Sequence, residues 1–140
     1  MRTTAQLGAL IFGIVFLLVG ILGLFVPNGM GMDADMETAG RLFGLFPVNL
    51  LHNIVHLAFG AWGIAASRSH EGSRSYGKIG AVVYGLLVVL AFLSPTMFGL
   101  VPIGGNDIWL HAILTLGLAY IGFAGGDART VDTTRTADTV

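Results

Sequence analysis

Between Leu7 and Val26 the chain reads LGALIFGIVFLLVGILGLFV, twenty residues without a charge. At about 1.5 Å per helical residue this run reaches about 30 Å, the thickness of a bilayer's hydrocarbon core. Arg2 in front of it raises the alternative of a signal peptide. A signal's apolar region is only about 7–15 residues long and ends at a small-residue cleavage site. This one is longer and runs into Val26-Pro27, so a retained span is expected. Three further apolar stretches follow, over 47–67, 78–94 and 107–124. Ser94-Pro95 either ends the third or kinks it and lets MFGLV continue. Backbone groups in lipid are satisfied within the segment, so spans of this kind are helices.

The expected fold class is therefore all-α, a four-helix transmembrane bundle occupying residues 1–126. Composition agrees. Charged residues are 11% of the chain, against about 25% in a soluble domain. Glycine is abundant inside the apolar runs, which membrane helices tolerate and soluble ones avoid. The absence of Cys removes disulfides, zinc-thiolate sites and thiol catalysis together. A net charge of −1 gives no electrostatic footprint for nucleic acid. The bilayer is the expected partner, and a homo-oligomer is an open option. The tail over 127–140 is rich in Thr and charge, has little to bury, and is expected to be disordered.

Basic residues set the orientation. Arg2, Arg68, Arg74, Lys78, Arg129 and Arg135 fall on one side of the four spans, with Arg41 alone on the other. By the positive-inside bias, both termini and the 68–78 loop are expected in the cytoplasm, at a bacterial inner membrane.

The two halves of the chain resemble each other. Phe43-Gly44-Leu45-Phe46-Pro47-Val48 aligns with Phe98-Gly99-Leu100-Val101-Pro102-Ile103 at an offset of 55, which carries His52 onto Asp107 and His56 onto His111. Pro27 pairs with Pro95 at an offset of 68, and the difference is an insertion in the first outer loop. Two pseudo-repeated helical hairpins, related by an axis along the membrane normal, are expected.

The same alignment isolates the chemistry. His52 and His56 are four apart and share a helix face, as do Asp107 and His111. His56 lies nine residues past Pro47, about 13 Å down a helix and so near mid-bilayer. Ionisable groups at that depth face a bundle interior or a cavity and have partners. Three imidazoles and a carboxylate suit zinc or another divalent ion. Alternatively His56 and His111 are two axial ligands of a haem. A proton-linked His–Asp pair is a further option. The plainest reading is a hydrogen-bond network that also takes in Asn49, Asn53 and Thr115, because intramembrane polar residues often only hold helices together.

Elsewhere the residues indicate less. His70 in RSRSHEGSRS is expected to be solvated, and Trp109 and Tyr76 to sit in an interfacial belt. Gly13, Gly20 and Gly23 on the first helix, with Gly77, Gly80 and Gly85 on the third, permit close helix contact. There is no GxSxG, HExxH or phosphate loop, so no hydrolytic enzyme is indicated.

The segments VNLLHNIVHLAFGAWGIA (Val48 to Ala65) and NDIWLHAILTLGLA (Asn106 to Ala119) resemble a bacterial family of small four-helix membrane proteins, common in actinobacteria and classed only as a domain of unknown function. Its pattern is an LHNxVH helix followed by a DxWLH-like helix. His52, Asn53 and His56 match the first, and Asp107, Trp109, Leu110 and His111 the second. The resemblance covers about residues 5–125, implies the same topology and singles out the same His and Asp positions. It implies no activity. The expectation is a membrane protein of unknown activity with a candidate His/Asp site for a metal ion or haem. A structural or accessory protein is the alternative, and a small oligomeric transporter a weaker one.

Overall fold

Thr3 starts the first helix with a reciprocal cap. Its hydroxyl accepts from the Gln6 backbone N–H at 3.3 Å, and the Gln6 side chain accepts from the Thr3 N–H at 3.0 Å. From there α1 runs over Thr4–Phe25 and ends at Val26, which takes the extended backbone that a following proline favours. This is a computed structural model, and it describes residues 1–124. The expected tail over 127–140, with Arg129 and Arg135, lies outside the described residues.

Three more helices follow: α2 over Leu50–Ala66, α3 over His70–Leu93 and α4 over Asn106–Ala119, the last continued by a π-helical turn over Tyr120–Ala124. Among the described residues the protein is a four-helix, all-α bundle apart from one short hairpin. Three of its helical segments are long and apolar enough to cross a membrane, and α2 is a shorter apolar helix of 17 residues. Helix α1 packs chiefly on α2, and α3 on α4. On α1 the buried stripe is Ala5, Ala9, Gly13, Phe16, Gly20 and Gly23, at helical spacing. Its other face shows Leu7, Ile11, Ile14 and Leu18 outward, so the helix is apolar all round. The centre of the bundle is Phe16, Tyr76, Tyr84 and Leu118, with Ala9, Ala66 and Ala81.

Several details differ from the sequence reading. The second helix was expected from Pro47, but Phe46–Val48 is a strand, paired antiparallel with Gly40–Leu42. We label them β2 and β1. Pro47 tolerates this place because a strand at a sheet edge can spare its N–H. The 68–78 loop is mostly helix. Ser69 caps α3 by accepting from the Gly72 N–H at 3.0 Å, and Glu71 sits in the first turn, so the helix begins at His70. Pro95 ends α3 without kinking it: Leu93 is the last helical residue, and a 3₁₀ turn over Met97–Gly99 follows.

His70 is not merely solvated, since its Nδ1 lies 3.0 Å from the Thr3 hydroxyl. Tyr76 is fully buried and packs edge-on to Trp62 at 5.0 Å, so it belongs to the interior and not to an interfacial belt. Gly13, Gly20 and Gly23 of α1 face α2, and Gly77, Gly80 and Gly85 of α3 face α4 and its π-helical continuation. At Gly13 a Cβ would stand 2.6 Å from the Ile64 nitrogen and 2.9 Å from the Gly60 oxygen, so only hydrogen fits there.

Two ends of the bundle can be told apart. Thr3 meets His70, Gln6 donates to the Ser67 carbonyl, and Arg74 donates to the carbonyls of Gly122 and Phe123 at one end. At the other end Leu50 donates to Gly31, and Asn49 to Leu100. Arg68, Arg74 and Lys78 therefore share an end with the N-terminus, opposite Arg41. The connections at the Arg41 end repeat one backbone feature. Phe43 and Gly44 have φ of 53° and 72°, and Phe98 and Gly99 have φ of 59° and 84°. Phenylalanine seldom adopts this left-handed conformation, yet both FGL segments place one there.

Candidate functional site

Asn49 fixes the start of α2 and with it the position of the first histidine. Its side-chain oxygen accepts from the His52 N–H at 2.9 Å, while its Nδ2 donates to the Leu100 carbonyl at 2.8 Å. One residue thus caps α2 and ties it to the connection ahead of α4. One turn further on, Asn53 donates to the Gly29 carbonyl at 2.9 Å. His52 and His56 lie on the inward face of the helix so anchored, stacked with ring centroids 4.7 Å apart. On α4, Asp107 and His111 turn inward in the same way, and all four side chains are at least 95% buried.

The two helices bring these groups together. One nitrogen from each of His52, His56 and His111 lies within 4.8 Å of the other two. Asp107 stands beside this triangle: its Oδ2 is 3.3 Å from His111 Nδ1 and 3.9 Å from His52 Nε2. His111 Nδ1 also lies 2.9 Å from the Asp107 backbone carbonyl. Donation of Nδ1–H to that carbonyl leaves Nε2 as the free nitrogen of His111, which is how a backbone acceptor fixes the tautomer of a ligating histidine.

Partners are scarce elsewhere in the cluster. Both ring nitrogens of His52, Nδ1 of His56 and Oδ2 of Asp107 are buried without a hydrogen bond among the described residues. Buried polar atoms are nearly always bonded, because an unmade bond costs about 1–3 kcal/mol. With one nitrogen of each ring within 4.8 Å of the other two, the three histidines are a donor set that could hold a metal ion. A tetrahedral zinc ion with bonds of 2.0–2.1 Å holds its nitrogens about 3.4 Å apart. Closing on such an ion would bring nitrogens that lie within 4.8 Å of one another to that spacing.

The other residues expected in the cluster have different duties. Asn49 and Asn53 bind loop carbonyls, and the Thr115 hydroxyl donates to the His111 carbonyl of its own helix at 2.7 Å. Asn53 Oδ1 is buried without a partner among the described residues, packed against Gly23 of α1. The sequence reading missed the aromatic walls. Tyr84 stacks on His111 with centroids 5.2 Å apart, and Phe16 stacks on Tyr84 at 5.3 Å and touches His56 at 5.5 Å. A usable signal existed, since the offset of 68 carries Phe16 onto Tyr84.

The fold and site thus define a class: a small helical bundle with membrane-like helices and a buried, three-histidine cluster that could hold a metal ion. Within that class the chain belongs to the family described as domain of unknown function DUF4383, whose model matches residues 6–124. No curated protein and no solved structure matches the chain.

Proposed function

We propose that the protein is an integral membrane protein that binds one divalent metal ion, zinc by its donor set, between α2 and α4. His52, His56 and His111 are the ligands, and Asp107 orients and charge-balances them. The observation that carries this reading is the convergence of three buried imidazoles, two of which have ring nitrogens without partners. A purely structural cluster would use its hydrogen bonds, as Asn49 uses both its amide nitrogen and its oxygen. A haem held by His56 and His111 would need a flat slot between them. His52 fills that neighbourhood, 4.7 Å from His56 and 5.8 Å from His111.

The arrangement in the membrane belongs to the same proposal. All four helices cross a bacterial inner membrane, with both termini and the turn between α2 and α3 cytoplasmic. The two hairpins are copies of one unit. The shared left-handed Phe-Gly pairs and the meeting of His52 with Asp107 support this.

Metal analysis of protein purified in detergent and loaded with zinc tests the site. About one zinc per chain is expected, lost in His56→Ala and in His111→Ala. Zinc-free protein that is equally stable with and without the ion would leave the cluster structural. Since the chain has no cysteine, single cysteines read the topology. Glu37→Cys should label in intact cells, and Arg68→Cys only after permeabilisation.

A further inference from the structure

Two cavities flank the histidines. The first, about 180 Å³, lies between α1 and α4, walled by Val15, Val19 and Leu110 and bordered by Phe43 of the β-hairpin connection. The second, about 270 Å³, lies between α3 and α2, walled by Leu87, Leu90 and Val55 and bordered by Phe98. His52 and His56 line both, Asp107 the first and His111 the second. The wall positions correspond: Phe43 and Phe98 are 55 apart, and Val19 and Leu87 are 68 apart. Each cavity therefore runs from the outer helix surface, where Val15 and Phe98 are exposed, to the unpartnered polar atoms at the centre.

Size and chemistry together select an occupant. An apolar cavity of about 150 Å³ holds a benzene ring, so each of these takes one substituted ring. The walls are aliphatic and aromatic, which excludes a charged or strongly hydrated solute. The inner end of the first differs. Asp107 Oδ2 lacks a donor, and the His52 ring, with both nitrogens free, offers one N–H and one acceptor. A phenolic hydroxyl answers both, donating to the carboxylate and accepting from the imidazole. An alkyl chain answers neither.

We infer that the first cavity is a lateral, bilayer-facing binding site for a membrane-soluble phenol or hydroquinone ring, its hydroxyl seated against the His52–Asp107 end. This rests on the proposed membrane placement of the cluster as a ligand site. It concerns the ring alone and stands apart from whether the ion is zinc.

Thermal unfolding of the detergent-purified protein tests it, with 4-butylphenol as probe and butylbenzene as the hydroxyl-free control. A ligand that binds only the folded state raises the midpoint with its concentration. Butylphenol should raise it, and butylbenzene should need at least tenfold more for the same shift. The double variant Val55→Trp/Leu110→Trp fills both cavities and should abolish the phenol shift while its zinc content stays at the wild-type level. Equal shifts from the two probes would overturn the inference and leave the cavities as acyl-chain space. An undiminished phenol shift in a folded double variant would overturn it too. Wild-type protein without zinc but with a phenol-specific shift would sink the metal reading alone.

Discussion

Asp107 Oδ2 lies 3.9 Å from His52 Nε2, although the two residues sit on different helices in different hairpins. The same carboxylate is 3.3 Å from His111 on its own helix. Asp107 thus sets a carboxyl group beside three imidazoles, each of which must be neutral to take up a cation. Asp107→Asn keeps the shape and removes the charge. Loss of such an orienting partner typically weakens a metal site 10–100-fold. We expect that drop in zinc affinity, read by competition with a chelating dye, with the helix content of the protein unchanged. Wild-type affinity in the variant would remove Asp107 from the site.

The outer loop has its own carboxylate. Asp33 accepts from the Asp35 N–H at 3.0 Å and from the Thr38 hydroxyl, and the Thr38 bond chiefly holds its carboxyl below the ordinary 3.8. A carboxyl whose pKa is lower folded than unfolded supports the structure above the unfolded value, and that support is lost as pH falls through the folded one. Protection of the Asp35 amide from hydrogen exchange, relative to the intrinsic rate at each pH, should therefore hold at neutral pH and fall only as pH drops below the ordinary carboxylate value. Asp33→Asn should remove this acid-dependent step. Because Asp33 is fully exposed, the global unfolding midpoint should not move with it.

The helices and the buried His/Asp cluster were legible in the sequence for the same reason: both rest on contrast. A run such as Leu7 to Val26 has one physical use, and a His or Asp inside such runs stands out because burying it is costly. The i,i+4 spacing then put His52 with His56, and Asp107 with His111, on common faces. The strands Gly40–Leu42 and Phe46–Val48 were not legible, since three residues are too few to show a period of two and Pro47 argues against a strand. The first turns of α3 were hidden by polarity. Ser69 and Glu71 are good helix starters, but HEGSRS has no apolar period to reveal a helix. Glycine showed where helices approach closely and not which helices: in a face apolar all round, nothing in the sequence names the partner. Tyr76 misled for a related reason, because a tyrosine near a span's end looks alike whether it faces headgroups or, as here, Trp62 and Phe59.

Close approach at Gly13 is testable by one methyl group. An added Cβ would meet backbone atoms of α2 at 2.6 Å and 2.9 Å, and helix backbones cannot step aside as a side chain can. Gly13→Ala should destabilise the bundle by about 1–3 kcal/mol, the usual cost of overpacking. Gly85→Ala is the matched control on α3, where the nearest atom is the Thr115 methyl at 3.4 Å. That variant should stay within about 0.5 kcal/mol of wild type. Denaturant titration in mixed micelles separates the two. Equal stability would mean that α1 and α2 do not pack through this glycine.

Asn53 separates stability from binding. Its Nδ2 donates to the Gly29 carbonyl at 2.9 Å in a buried setting, tying α2 to the loop after α1. Its neighbours in sequence along the inward face, His52 and His56, carry the unpartnered nitrogens. Asn53→Ala removes the donor and leaves the carbonyl of Gly29 unpaired, at a cost of about 1–3 kcal/mol. The proposed zinc site loses no ligand, since its ligands are the three imidazoles. The expected result is therefore a lower unfolding midpoint with zinc stoichiometry and affinity near wild type. Should zinc affinity fall as far in Asn53→Ala as in Asp107→Asn, the asparagine and the histidines would form one network, and the division between loop anchors and metal ligands would not hold.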